Sequence, residues 1–226
     1  MTRDTWEFRA GWAARPDDLA NCAERMAASL TYVASLDPLL TQWLYDSEPV
    51  PVDESSLRRR LDTNWDRETP SGAHGSHVSL RNGQRDDLTV ATFSVSCGAT
   101  ASCWRNRVAL MPPRPVAAPA LYRLDSMLGL FDSMISIWRP RWCRMQPQSL
   151  REVTYHGTVD VLASWIAYLD RDLYPRIGAL PDGISKIERA DGDIFVLAST
   201  AAEVELSTID RLREHITFPD EDRRLG

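Results

Sequence analysis

The feature that most restricts what this chain can fold into lies near its C-terminal end. Ile184 to Glu188 and Ile194 to Ala198 are two short apolar-bearing runs joined by Arg189-Ala-Asp-Gly-Asp193. Asp-Gly between two such runs is strong turn chemistry, because Gly adopts backbone angles closed to other residues, so the segment reads as an antiparallel hairpin. The hairpin closes a stretch from Trp138 to Ser199 that also holds Trp138-Arg-Pro-Arg-Trp142, Trp165-Ile-Ala-Tyr168 and Leu180-Pro-Asp-Gly183. Nothing in that stretch is spaced like a reaction centre.

Upstream, strand and helix patterns alternate. Thr5 to Trp12 places Trp6, Phe8 and Ala10 on one side and Glu7 and Arg9 on the other, which predicts an opening strand. Pro16-Asp-Asp18 predicts a helix start with Pro in the first turn, and Leu19, Cys22, Ala23, Met26, Leu30 and Val33 then recur at helical spacing to Leu36. Pro38 to Leu44 predicts a short helical segment. Asp46 to Asp53 reads as an acidic, proline-stiffened extended connection, its two prolines incompatible with a central strand. Asp53 precedes Glu54-Ser-Ser-Leu-Arg-Arg-Arg-Leu61 as the cap of a helix with a solvated arginine face.

Residues 66–77 form the most evident loop. Three strands are expected after it, at His77 to Arg81, Leu88 to Val95 and Cys103 to Met111. Ala118 to Trp138 keeps helical spacing and predicts the second long helix, and a last helix is expected from about Glu203 to Ile216 before a fraying tail, Pro219–Gly226. The resulting class is α+β: a single domain over 1–226, with a predominantly antiparallel sheet and two long helices packed on one face. With 43% hydrophobic and 26% charged residues, the chain has the composition of a folded protein with a sizeable core. Neither a membrane span nor an export signal is legible, and a cytoplasmic location is expected.

Charge is uneven. Residues 1–150 contain 17 Asp/Glu and 17 Lys/Arg, whereas residues 151–226 contain 15 and 9, so the formal charge of −6 lies in the C-terminal third. An acidic surface serves solubility or a basic protein partner, and it disfavours direct nucleic-acid contact, which needs clustered cations. The single Lys186 among 25 Arg reads as codon bias.

Motifs that carry chemistry are missing. The sequence has no nucleophile elbow, P-loop or dinucleotide fingerprint, so no cofactor is expected. His74-Gly-Ser-His77 sits in a flexible glycine-rich loop without a third defined ligand. Asp170-Arg-Asp172 and Asp191-Gly-Asp193 lack the further carboxylates of a calcium loop, so no metal is expected. His156 and His215 have no visible nucleophile to serve. Cys22, Cys97, Cys103 and Cys143 form no CxxC pair and read as reduced thiols, although Cys97 and Cys103 can face each other across a Gly98–Ser102 turn. Trp6, Trp43, Trp138 and Trp165 fall on apolar faces and read as core. Trp12, Trp65, Trp104 and Trp142 sit at element ends, where one or two exposed rings would make interface anchors.

Trp138-Arg-Pro-Arg-Trp142, Trp165-Ile-Ala-Tyr-Leu169, Leu180-Pro-Asp-Gly-Ile184 and Ala190-Asp-Gly-Asp-Ile-Phe-Val-Leu197 together resemble immunity protein 52, a bacterial antitoxin family of polymorphic toxin systems, with Leu36-Asp-Pro-Leu-Leu-Thr-Gln-Trp43 fitting the same pattern. The resemblance is best over 138–198. It implies an α+β protein without catalytic residues that binds and neutralises a cognate toxin delivered by a secretion system such as type VI, typically a restriction-endonuclease-like nuclease. For such a protein the acidic residues Asp46, Glu48, Asp53, Glu54, Asp170 and Asp172 are the candidate partner-binding side chains, at the rim of the interface or as mimics of DNA phosphates. Two other readings are an effector-loading chaperone or scaffold, and a metal-dependent hydrolase built on His74, His77 and Asp193.

Overall fold

A computed structural model describes residues 4–65, 74–100, 106–150, 162–172 and 179–215. The fold is mixed α+β. Two compact units make up the chain: Arg9–Pro140, and Arg141–Gly226 together with Met1–Phe8.

The first unit holds the long helices. Strand β1 (Trp6–Trp12) starts in the other unit and ends in this one, its inward residues alternating along the expected face. Helix α1 (Leu19–Leu36) begins one residue after Asp18, whose carboxylate accepts from the Asn21 amide at 2.7 Å. Pro16 therefore precedes the helix instead of occupying its first turn. Asp17 is also outside it, ion-paired with Arg15 and Arg25 at 2.8 Å each. The segment after α1 is helical only over Pro38–Leu40, a single 3-10 turn.

Strands β2 (Leu44–Tyr45) and β3 (Glu48–Pro49) then form a minimal hairpin. Asp46 and Ser47 make its turn, both at positive φ (49° and 72°), as the two central positions of a right-twisting two-residue turn require. The expected extended connection is thus a reversal, and Pro49 is tolerated because β3 is an edge strand. Helix α2 (Glu54–Thr63) follows with Asp53 as its cap.

Strands β4 (Ser76–Arg81), β5 (Thr92–Cys97) and β6 (Asn106–Met111) pair antiparallel in sequence order, and the unit's strand order is β3-β2-β4-β5-β6-β1. β5 starts four residues later than its β-branched run predicts. Asn82 holds the preceding loop: its side chain donates to the Leu39 and Thr89 carbonyls at 3.0 and 2.8 Å and accepts from the Ala91 amide at 2.9 Å. Residues 103–105, including Cys103 and Trp104, lie outside the described residues, as do 66–73 of the expected loop and His156.

The second long helix is shorter than its periodicity. Pro119–Tyr122 is a 3-10 turn, Arg123 is extended, and helix α3 runs Leu124–Trp138. It stops at Arg139, which adopts left-handed angles (φ 46°) ahead of Pro140, a combination that cannot continue a helix. α1 packs against both α2 and α3, and α2 packs on β4.

In the other unit the strand order is β1-β7-β8-β10-β9, with β7 at Trp142–Pro147, β8 at Ile166–Asp170, β9 at Ser185–Glu188 and β10 at Gly192–Val196. β7–β8, β8–β10 and β10–β9 all run antiparallel. The hairpin that constrained the sequence is β9–β10, closed by the Arg189 amide donating to the Gly192 carbonyl at 2.9 Å. Every residue of β7 and nearly all of β8 are buried, so neither shows an alternating pattern. One sheet face packs Trp142, Ala167, Leu169, Phe195 and Leu197 against Ile209 and Leu212 of helix α4 (Leu206–His215), within the expected span. Ile216 and the 219–226 tail lie outside the described residues. No helix among those described is long and apolar enough to cross a membrane.

Candidate partner interface

The six candidate carboxylates divide between the units. Asp46, Glu48, Asp53 and Glu54 belong to Arg9–Pro140, on the β2–β3 turn and the start of α2, and all are exposed. Asp170 and Asp172 belong to the other unit, at and just beyond the end of β8.

Local geometry already occupies three of them. Glu48 pairs with Arg60 at 3.1 Å, and the Arg60 guanidinium also lies over the Tyr45 ring at 5.1 Å, which fixes the acidic turn against α2. Asp53 accepts from the Ser55 hydroxyl at 2.6 Å and the Ser56 amide at 2.8 Å. Those bonds favour the charged form and lower its pKa to about 2. Asp170 pairs with Arg141 at 3.4 Å and is only partly exposed. Asp46, Glu54 and Asp172 project as exposed carboxylates.

The residues of the hydrolase reading are divided between the two units. His77 is on β4, its Nδ1 2.9 Å from Ser96 Oγ, with its pKa lowered by partial desolvation of the ring and by the nearby Arg107 charge. His74 is in the turn before β4. Asp193, in the other unit, is a buried residue of β10 with Lys186 at 3.6 Å and Arg171 at 3.7 Å. Among the described residues, no three His, Cys, Asp or Glu side chains are arranged to hold a metal ion.

The tryptophans are more buried than their positions suggest. Trp6, Trp43, Trp138 and Trp165 are core, as the apolar faces predict, but Trp12 and Trp142 are buried too, and Trp65 is half-buried with its ring lying on Gly98. Ring contacts account for this: Trp6 meets Trp165 edge-on at 6.1 Å, Trp43 meets Phe93 at 6.0 Å, and Arg144 lies over Trp142 at 5.6 Å. None of these described rings is left as an exposed anchor.

The sequence pattern described as Immunity protein 52 matches residues 4–199. The chain belongs to the Immunity protein 52 family. The match reaches into both units and spans every described strand, stopping before α4. Among solved structures, this family member is similar to the Pseudomonas aeruginosa T6SS protein PA0821, with a TM-score of 0.55 and 11% identity over 93% of this chain and 71% of that one. At that identity the likeness is one of fold. No curated protein matches the chain. Membership in the Immunity protein 52 family gives the chain an immunity, or antitoxin, role and a toxin as its partner.

Proposed function

We propose that this immunity protein neutralises a secreted antibacterial toxin with a restriction-endonuclease-like DNase domain, by tight stoichiometric association in the cytoplasm of the cell it protects. Family membership over residues 4–199 carries the reading. Its fold likeness to a T6SS protein supports type VI delivery of the toxin. Inhibition works by binding, with no catalytic step of its own, and the 226 residues act together as one immunity domain.

Protection demands slow dissociation, because a toxin released for a few seconds resumes cutting. That requires a standard-size or larger interface, about 1,600 Å² of total buried surface, with a few dominant anchors. The net charge of −6 and the carboxylates at Asp46, Glu48, Asp53, Glu54, Asp170 and Asp172 give the protein a field that attracts a DNA-binding, hence basic, toxin and raises the encounter rate. Asp46, Glu54 and Asp172 contribute most, since the other three already have local partners.

Co-expression with the toxin encoded beside this chain's gene tests the reading. Cells survive and a 1:1 complex co-purifies if it is right, and DNA from cells expressing the toxin alone is degraded. Continued death without a complex removes the immunity reading. Binding without protection points to an effector-loading chaperone, and protection from a toxin that leaves DNA intact removes only the DNase assignment.

A further inference from the structure

In the unit Arg9–Pro140, strands β4, β5 and β6 bury one face and present the other. Val78, Leu80, Phe93, Val95, Val108 and Leu110 point inward and are fully or almost fully buried. The strand register sets the opposite face as three rows: His77–Ser96–Arg107, Ser79–Ser94–Ala109 and Arg81–Thr92–Met111. His77, Ser79, Arg81, Arg107 and Met111 are exposed, the three central β5 hydroxyls are half-exposed, and Ala109 is buried.

The composition of this face is not that of an ordinary solvated sheet surface, which mixes long side chains of both signs. Its nine positions hold no Asp, Glu or Lys. The ionisable groups are Arg81, Arg107 and His77, all basic types, in a chain whose net charge is −6. The middle row is short, with Ser79, Ser94 and Ala109, so a partner can approach closely and little rotamer entropy is lost on contact.

At the Arg81–Thr92–Met111 end of the face, the adjoining loops carry exposed apolar side chains. Leu88 (39% exposed), Met111 (39%) and Val116 (51%) are three of the four large apolar side chains that stand exposed among the described residues. Their loops are fixed to each other, the Arg114 amide donating to the Leu88 carbonyl at 2.8 Å and Arg114 Nε to the Asp87 carbonyl at 3.1 Å. Asp86 and Asp87 border this end, and Asp86 is turned into its own loop, accepting from the Leu88 amide at 3.3 Å.

We propose that this face is where the toxin docks, meeting an acidic surface of the toxin with an apolar side chain seated on Leu88, Met111 and Val116. The proposal rests on the immunity reading and supplies the contact surface that reading leaves open. Charge selects the occupant: carboxylates complement Arg81 on a face without acidic side chains, whereas the basic DNA cleft of a nuclease is repelled by it. Docking here sets the immunity protein against an acidic part of the toxin, away from its phosphate-binding cleft. The acidic β2–β3 turn lies alongside, since Leu44 of β2 pairs with Arg81 of β4, so the two charge signs together dictate one orientation.

The test uses the full chain and a catalytically inactive form of the neighbouring gene's toxin, with affinity read by biolayer interferometry. Arg81→Glu and Ser79→Glu each weaken binding by about 30-fold or more, and Val116→Asp by about 10-fold or more, with unchanged thermal melts. Asp46→Asn with Glu48→Gln slows association a few-fold at low salt and leaves dissociation unaltered. If all three face variants bind like the wild type, the face is not the dock although the immunity reading stands. Failure of the wild-type chain to bind or protect removes both. If the face instead binds duplex DNA, and Arg81→Glu abolishes that binding while sparing the toxin complex, the proposal is overturned in favour of a nucleic-acid partner.

Discussion

Trp12 and Trp138 stack with ring centroids 5.1 Å apart and an interplanar angle of 25°, joining the end of β1 to the last turn of α3. The pair is held on both sides. Trp138 Nε1 donates to Ser29 Oγ on α1 at 2.8 Å, and Arg15 lies over the Trp12 ring at 5.3 Å while its Nη1 donates to the Trp138 carbonyl at 3.2 Å.

Removing this ring destabilises the unit Arg9–Pro140 severely. Trp138→Ala costs about 3–5 kcal/mol through lost contacts and the cavity left behind. Ser29→Ala leaves the buried indole N–H without its acceptor and costs about 1–3 kcal/mol. Urea titration followed by near-ultraviolet circular dichroism reads both, and equal melts for Ser29→Ala and wild type would contradict the hydrogen bond.

Asp53 acts first as a helix cap. Asp53→Ala lowers the melting temperature by about 2–4 °C, and Asp53→Asn by less, because the amide oxygen still accepts from the Ser56 amide. The pH dependence has a defined sign. The folded-state pKa is depressed to about 2 from an ordinary 3.8, so the contribution is complete above about pH 3.8 and is lost as pH falls toward 2. Wild type and Asp53→Asn therefore converge in acid. An unchanged gap from pH 6 to pH 2 would rule the cap out as the cause.

Gly192 allows β10 to lie close to β8. A Cβ there would stand 2.3 Å from the Leu169 carbonyl oxygen and 2.7 Å from the Tyr168 ring. Gly192→Ala forces the pairing apart, at about 1–3 kcal/mol, and raises amide exchange along Ile194 and Tyr168. Gly183→Ala is the comparison: its φ of 86° makes the substitution strained, but nothing lies within 4 Å of the new methyl, so exchange in β8 and β10 stays unchanged. Equal exchange in the two variants would dismiss the close approach.

The thiols of Cys22, Cys97 and Cys143 are inert in the folded protein. All three are buried; the neighbouring Cys22 thiol and then burial raise the Cys97 pKa far above its usual value, and burial raises that of Cys143. A Cys103→Ser variant takes up no maleimide at pH 8 until denatured, when three labels appear. Native labelling of Cys97 would contradict its placement against Cys22.

Most elements were legible because one face is wet. β1, β4 and the α1 stripe show the alternation or helical period that half-burial produces. β7 and β8 carry no such signal, because burial on both sides removes alternation and leaves Trp142 to Pro147 with no readable period. The break at Arg123 is likewise hidden, since apolar residues keep helical spacing through Leu121 and Leu124 even though Pro119–Tyr122 winds more tightly and Arg123 is extended. The acidic positions were found from composition alone. Composition could not separate Asp53, which serves a helix, and Asp170, which serves Arg141, from exposed neighbours such as Asp46 and Asp172. The basic sheet face is not legible in the sequence, because His77, Arg81 and Arg107 are scattered along it and meet only through strand pairing.

What the sequence determined by itself was local: the Arg189–Asp193 reversal, the Asp53 helix start, the α+β class and the family pattern. These depend on a few neighbouring residues, whose turn, capping and periodic preferences act within a span of about ten positions. Tertiary structure decided which strands are neighbours, which carboxylates have partners and which charges share a surface. Those outcomes follow from burial and cross-strand pairing between distant residues, as when Arg81, Thr92 and Met111 line up in one row.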